Sequence, residues 1–323
     1  MNGLVRRSFL TLGAAAFAAP SALALVRSER AAIGQYGDKA APLTVFEKDG
    51  ALHIDGGGFK SARLTATGRG RYAVAGGGAL VLERGAVRLN GTRLAFHDFG
   101  AETQAAIRAG VRADPEALRR QALAATPPVE TGDKLPSDLV DVATIEPGVK
   151  LDIRYAGADN FMGIPLYERS AAYLQRPAAE ALGRAHRALA AKGYGLLIHD
   201  AYRPWFVTWM FWAATPSEDH VFVADPAQGS RHNRGCAVDL TLYDLKTGKP
   251  ADMPSRYDEF STRAYADFVG GTTAQRARRA ILRQAMEAEG FEVYPEEWWH
   301  FDYRDYRRYP IGTKTFTELA VGR

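Results

Sequence analysis

One stretch of the chain limits its folding more than any other: Ser230-Arg231-His232-Asn233-Arg234-Gly235-Cys236-Ala237-Val238-Asp239, which runs on through Leu240-Thr241-Leu242. The alternation from Cys236 to Leu242 suits a half-buried strand. Ala237, Asp239 and Thr241 then point to one face, and Cys236, Val238, Leu240 and Leu242 to the other. Asp239 is the odd member of an apolar run, where a carboxylate costs on the order of several kcal/mol unless it is paired or coordinates a cation. The fold must therefore bring partners to Asp239. Cys236, the one cysteine, faces away from it and reads as a small apolar packing residue.

Candidate partners stand at His232 and, far downstream, in Glu297-Trp298-Trp299-His300-Phe301. Two imidazoles, one aspartate and one spare glutamate make a catalytic zinc site. Such a site has three protein ligands, one position open to water and a base beside it. His232, Asp239 and His300 are the ligand candidates, and Glu297 remains as the base. Either segment alone would more simply be structural; together they favour metal. Glu297 and His300 are three residues apart, so a regular strand would put them on opposite faces. The site therefore requires a bend or bulge between them.

Asp200-Ala201-Tyr202-Arg203-Pro204, Ser230 through Asp239 and Glu297 through Phe301, in this order, resemble the zinc D-alanyl-D-alanine dipeptidases of the VanX-like type. The pattern Ser-x-His-x-x-Gly-x-Ala-x-Asp is met at Ser230, His232, Gly235, Ala237 and Asp239. The similarity runs from about Leu135 to about Leu319 and includes the segment from Tyr155 to Gly163. It implies an α+β catalytic domain of the DD-peptidase/hedgehog-like kind, with helices and a mixed, largely antiparallel sheet. It also implies one Zn2+ per chain on His232, Asp239 and His300, with Glu297 taking a proton from the bound water and passing it to the leaving amine. Arg203 would face the oxyanion. Without the resemblance, Arg203 reads equally well as a surface charge at a turn.

The segment Asp252-Met253-Pro254-Ser255-Arg256-Tyr257-Asp258 resembles a further family element, in which Asp258 would hold the substrate's free amino terminus; a solvated loop carboxylate is the other reading. Ser230 would bind substrate or stabilise the loop before His232. Trp205, Phe206, Trp209, Phe211 and Trp212 read as core packing, and His53, His97, His186, His199 and His220 as non-ligands. The implied substrate is the small dipeptide D-Ala-D-Ala, with longer cell-wall peptides, cut by a carboxypeptidase or endopeptidase, as the alternative. A non-catalytic wall-binding protein is a further alternative, but mere binding needs no spare base.

The rest of the chain sets the context. Val5-Arg6-Arg7-Ser8-Phe9-Leu10, an Ala-rich apolar run and Ala22-Leu23-Ala24 form a twin-arginine signal peptide over residues 1–24, which predicts periplasmic export without membrane insertion of the mature protein. Its removal takes away two arginines and no acid from a chain of net charge +4. Nothing in that balance calls for nucleic acid. A single cysteine excludes an internal disulfide. Residues 25–100 carry short apolar alternations punctuated by Asp49-Gly50, Gly56-Gly57-Gly58, Gly76-Gly77-Gly78 and Asn90-Gly91, the signature of a small antiparallel β module. A helix from Asp114-Pro115 toward Ala125 and a linker fill residues 101–134, and the catalytic domain spans 135–323. Within it, helices are predicted from Pro177 to about Lys192 and from about Thr273 to Glu289. Arg276, Arg278, Arg279 and Arg283 would give the second a solvated basic face.

Overall fold

The computed structural model describes residues 25–321; the signal peptide expected over residues 1–24 lies outside them. Eight strands come first: β1 (Gly34–Tyr36), β2 (Leu43–Lys48), β3 (Ala51–Gly56), β4 (Phe59–Gly68), β5 (Arg71–Val74), β6 (Ala79–Glu83), β7 (Ala86–Leu89) and β8 (Thr92–His97). Each pairs antiparallel with the next, and β1 returns to β8 through Gln35 opposite His97 and Tyr36 opposite Phe96. The small β module is thus a closed eight-stranded barrel. At Asp49-Gly50 and Asn90-Gly91 both residues take positive φ, the turn backbone whose twist matches the strands it joins. Val45, Ile54, Leu80 and Val87 fill the interior with no exposed surface. Closure leaves the barrel without a free strand edge.

Two helices follow, Phe99–Ala113 and Pro115–Ala124, capped by the side chains of Asp98 and Asp114. The second has the cap-and-proline signal of the sequence. The first was not predicted from the sequence, because its apolar residues are mostly alanines with only three large side chains among them; it buries Phe99, Thr103, Ile107 and Val111.

The remaining strands are β9 (Leu139–Asp141), β10 (Lys150–Leu151), β11 (Tyr173–Gln175), β12 (Tyr194–Asp200), β13 (Ala237–Asp244), β14 (Phe291–Tyr294) and β15 (Glu297–Tyr303). Five of them make a sheet in the order β10-β12-β13-β15-β14, parallel at β10–β12 and antiparallel elsewhere, while β9 and β11 pair separately. The α+β expectation holds for this region. Helices Arg176–Ala190 and Thr273–Ala288 pack against each other and the sheet. Val238, Leu240 and Leu242 join their core together with Cys236, whose thiol burial pushes up to about 12. The opposite face of β13 is left for Asp239.

The arginines of Thr273–Ala288 are not a free basic face. Arg276 donates to the Glu47 carbonyl at 2.7 Å and lies over the Phe46 ring, which ties the helix to the barrel, and Arg279 donates to the Tyr265 carbonyl. Arg276, Arg278 and Arg279 donate to backbone oxygens within the molecule, which the helical periodicity alone could not reveal, while Arg283 stays exposed and pairs with Glu287 at 2.6 Å.

Candidate metal centre

His232 lies in a 3-10 turn, His232–Arg234, just before β13. Gly235 ends the turn at a φ of 66°, and a Cβ there would meet Leu139 Cδ2 at 2.3 Å, so glycine is favoured by both backbone and space. Asn233, fully buried, donates to the Arg203 carbonyl at 2.8 Å and to Thr208 Oγ1 at 2.9 Å, and accepts from the Ser230 N–H at 2.7 Å. The Arg203 N–H in turn donates to the His232 carbonyl at 3.1 Å. Two motif segments distant in sequence are thereby locked together. Ser230 Oγ accepts from the His232 N–H at 3.2 Å, the loop-stabilising half of its expected role, and the residue also lines the cavity.

Strand register places the other groups. Asp239 of β13 stands opposite His300 of β15 on one side and Asp200 of β12 on the other. The β12 ladder slips between Ile198 and Asp200, and the bulge at His199 brings Asp200 beside Asp239. A second irregularity, where Val293 pairs with Phe301 but Tyr294 with Glu297, is the bend that the Glu297–His300 spacing required. Glu297 Oε2 comes to 3.6 Å from His300 Nδ1.

Three donor atoms converge. His232 Nε2 is 3.1 Å from His300 Nδ1 and 3.3 Å from Asp239 Oδ1, and His300 Nδ1 is 3.0 Å from that same oxygen. His232 Nδ1 sits 2.6 Å from the Ala201 carbonyl, which can only accept, so Nδ1 carries the proton and Nε2 of the neutral ring presents its lone pair. His300 Nε2 donates to Asp302 Oδ1 at 2.9 Å, which leaves Nδ1 likewise bare. Asp239 Oδ2 accepts from the Tyr257 hydroxyl at 2.9 Å, whereas buried Oδ1 has no hydrogen-bond partner. Lone pairs gathered in this way repel unless a cation or proton lies among them. Bonds of about 2.0–2.1 Å to a tetrahedral ion put donors about 3.3 Å apart, close to the observed separations. Among the described residues, His232, Asp239 and His300 are the one group able to hold a metal ion.

Charge around the centre follows from burial. Burial alone would lower the His300 pKa, but Asp302 and Asp239 outweigh it and push it up to about 10, so that without an ion a proton on Nδ1 lies among the gathered lone pairs. Burial opposes the Asp239 anion too, yet His232 and His300 hold it well below the usual carboxylate range. Glu297 is pushed up to about 8 by burial and by the charges of Asp239 and Asp258, against the pull of His300. Arg203 stays charged despite burial because Asp200 takes its Nε and Nη2 at 2.9 and 2.8 Å, and its guanidinium lies over the rings of Phe211 and Tyr155. Phe211, assigned to the core by the sequence, is therefore also a floor for Arg203.

Asp258 lines the same cavity as the three donors, Glu297 and Arg203. It is half-buried in the cavity wall, and burial, then the charge of Asp239, pushes it up to about 8. The Tyr155 hydroxyl lies 3.0 Å from it and 3.2 Å from the Tyr257 hydroxyl, which reaches Asp239. Two hydroxyl protons cannot fill three such contacts. A proton on Asp258 completes the chain. Tyr155, Tyr257 and Asp302 were not singled out from sequence; Asp302, two residues beyond His300 on one strand face, could have been, but Tyr257 arrives on a loop with no periodic signal. The other histidines lie apart from the centre. His186 Nδ1 accepts from the Leu196 N–H, His199 stacks on Tyr257 and His220 on Trp212.

Comparison with known proteins accords with this geometry. A family model described as D-ala-D-ala dipeptidase matches residues 136–320. A D-alanyl-D-alanine dipeptidase of Escherichia coli K12 is 35% identical over 181 residues, covering 56% of this chain and 92% of its own length. One from Enterococcus faecium is 39% identical over 178 residues, covering 49% of this chain and 87% of its own. Since the matched family span exceeds half of the chain and contains all three donors, Glu297 and Arg203, the protein belongs to the D-ala-D-ala dipeptidase family of metallopeptidases.

Proposed function

We propose that the protein is a zinc-dependent D-alanyl-D-alanine dipeptidase acting in cell-wall metabolism. The observation that carries this reading is the convergence of two imidazole lone pairs on an unpartnered, buried Asp239 oxygen with Glu297 beside them. His232, Asp239 and His300 would hold the ion. When bound, zinc supplies a Lewis acid and makes water a nucleophile near neutral pH.

The chain's own groups perform the proton and charge work. Glu297 accepts the proton released by the attacking water and delivers it to the leaving amine. Arg203, fixed by Asp200 and packed over Phe211, meets the negative charge that grows on the carbonyl oxygen; such a donor lowers the barrier by about 3–4 kcal/mol. Asp258 binds the substrate ammonium, whose charge favours the ionised carboxylate, and so rejects acylated peptides. Arg6-Arg7 and the apolar run after it support export to the periplasm by the twin-arginine route. Replacement of both arginines by lysine should hold the protein in the cytoplasm on fractionation.

The central roles separate in two variants. Glu297→Gln should keep one zinc per chain and lose nearly all turnover of D-Ala-D-Ala, whereas His232→Ala should lose the metal itself. Metal analysis beside a turnover assay reads both, and wild-type activity in Glu297→Gln would remove Glu297 from the mechanism.

A further inference from the structure

Asp258 adopts a φ of 56°, a left-handed backbone that is uncommon outside glycine though aspartate takes it more readily than most residues, and neighbouring contacts hold it there. The enforcing contacts come largely from outside the matched family span. Gln104, on helix Phe99–Ala113, donates from Nε2 to the Asp258 carbonyl at 2.6 Å. Before Asp258, Arg256 Nη2 donates to both carboxylate oxygens of Asp98, the cap of that helix, at 3.0 Å. After it, Glu259 is 1% exposed and packs on the helix's first turn, where a Cβ on Gly100 would stand 2.4 Å from its Oε1. Ser261 Oγ fixes that same oxygen at 2.8 Å.

The same helix and the barrel also brace the facing wall. Lys39, in the loop between β1 and β2, binds Asp219 at 2.8 Å, and Thr103, the neighbour of Gln104, reaches Asp219 at 3.4 Å. Asp219 belongs to the turn Ser217–Phe222, which leads into the cavity-lining residues Val221, Phe222 and Val223. Two of the segments that line the cavity, residues 221–223 and 258–260, are thus tied to residues N-terminal to position 136, where the family match begins.

We propose that helix Phe99–Ala113 sets the shape of the amine end of the substrate cavity, with Gln104 as the positioning residue that holds Asp258 toward the substrate's ammonium group. This rests on the reading of Asp258 as the amine-binding carboxylate. The N-terminal barrel then serves as a buttress for substrate selection by this chain. Gln104 touches no substrate; it acts through the backbone of Asp258.

The test uses the full-length, zinc-loaded protein with D-Ala-D-Ala and its N-acetyl form. Gln104→Met removes the donor at similar size, and Gln104→Glu does so with a soluble side chain should the first variant fold poorly. Either should raise KM for D-Ala-D-Ala about tenfold, the scale of one hydrogen bond to a buried group, with kcat within about twofold. Preference over the N-acetyl dipeptide should fall by the same factor. Gln35→Met removes a different barrel contact, the Gln35 Nε2 to Thr262 Oγ1 bond of 2.8 Å, and should alter melting temperature without altering that preference. If both Gln104 variants match Gln35→Met while Asp258→Asn raises KM, the positioning role is wrong and the amine reading stands. Unchanged KM in Asp258→Asn would overturn the amine reading, and the positioning role with it.

Discussion

Asp239 divides its two oxygens between different duties: Oδ2 takes the Tyr257 hydroxyl, and Oδ1 faces two bare imidazole nitrogens. The second neighbours decide which nitrogens are bare. Asp302 holds the His300 tautomer, itself bound to Arg231 at 3.3 Å, so Asp302→Asn should weaken zinc binding by about 10–100-fold, measured by competition with a chelator. An unchanged affinity would mean that the ring orients itself. Arg203→Lys should retain zinc but lose about 100–1000-fold in kcat, because an ammonium cannot keep both Asp200 contacts and the stacked plane. Asp239 and His300 were legible in the sequence because each interrupts an apolar pattern, and His232, in a polar loop, because it completes the motif that ends on Asp239. Tyr257 was not, since its role depends on where a loop returns.

Among the elements, β12 and β15 each depart from regular pairing at the site. One departure was foreseeable, because Glu297 and His300 could share a face only through a bend. The bulge at His199 was not: periodicity describes one strand, whereas a register slip belongs to a pair. The barrel illustrates the same limit. Its hairpins at Asp49-Gly50 and Asn90-Gly91 are written in local turn chemistry, but closure needs β1 to meet β8 across the whole module. The His232–Arg234 turn depends on Gly235. Gly235→Ala should destabilise the protein by about 1–3 kcal/mol in denaturant titration and weaken metal binding, since strain at positive φ and a clash with Leu139 move the loop bearing His232. A stability loss with metal affinity intact would separate the turn from the site.

For the whole molecule, the site concentrates unfavourable charge that the ion would relieve. Glu297 and Asp258 titrate at about 8 in the folded protein, above the ordinary carboxylate values of about 4. Raised folded values contribute stability that is complete below the unfolded pKa and lost as pH climbs through the folded one. His300, at about 10, adds a loss of the same sign above its unfolded value of about 6.5. Metal-free protein should therefore melt at progressively lower temperature from about pH 5 to pH 8, with a shallower decline in Glu297→Gln; equal slopes by calorimetry would contradict the burial of that carboxyl. Zinc at a thousandfold over its Kd should add about 4 kcal/mol of stability.

The most direct trial of the account is product analysis after incubating the zinc-loaded protein with D-Ala-D-Ala, N-acetyl-D-Ala-D-Ala and a pentapeptide ending in D-Ala-D-Ala. Free D-alanine from the unblocked dipeptide, with the other two left intact, is the predicted result. Cleavage of the pentapeptide with the dipeptide spared would contradict it.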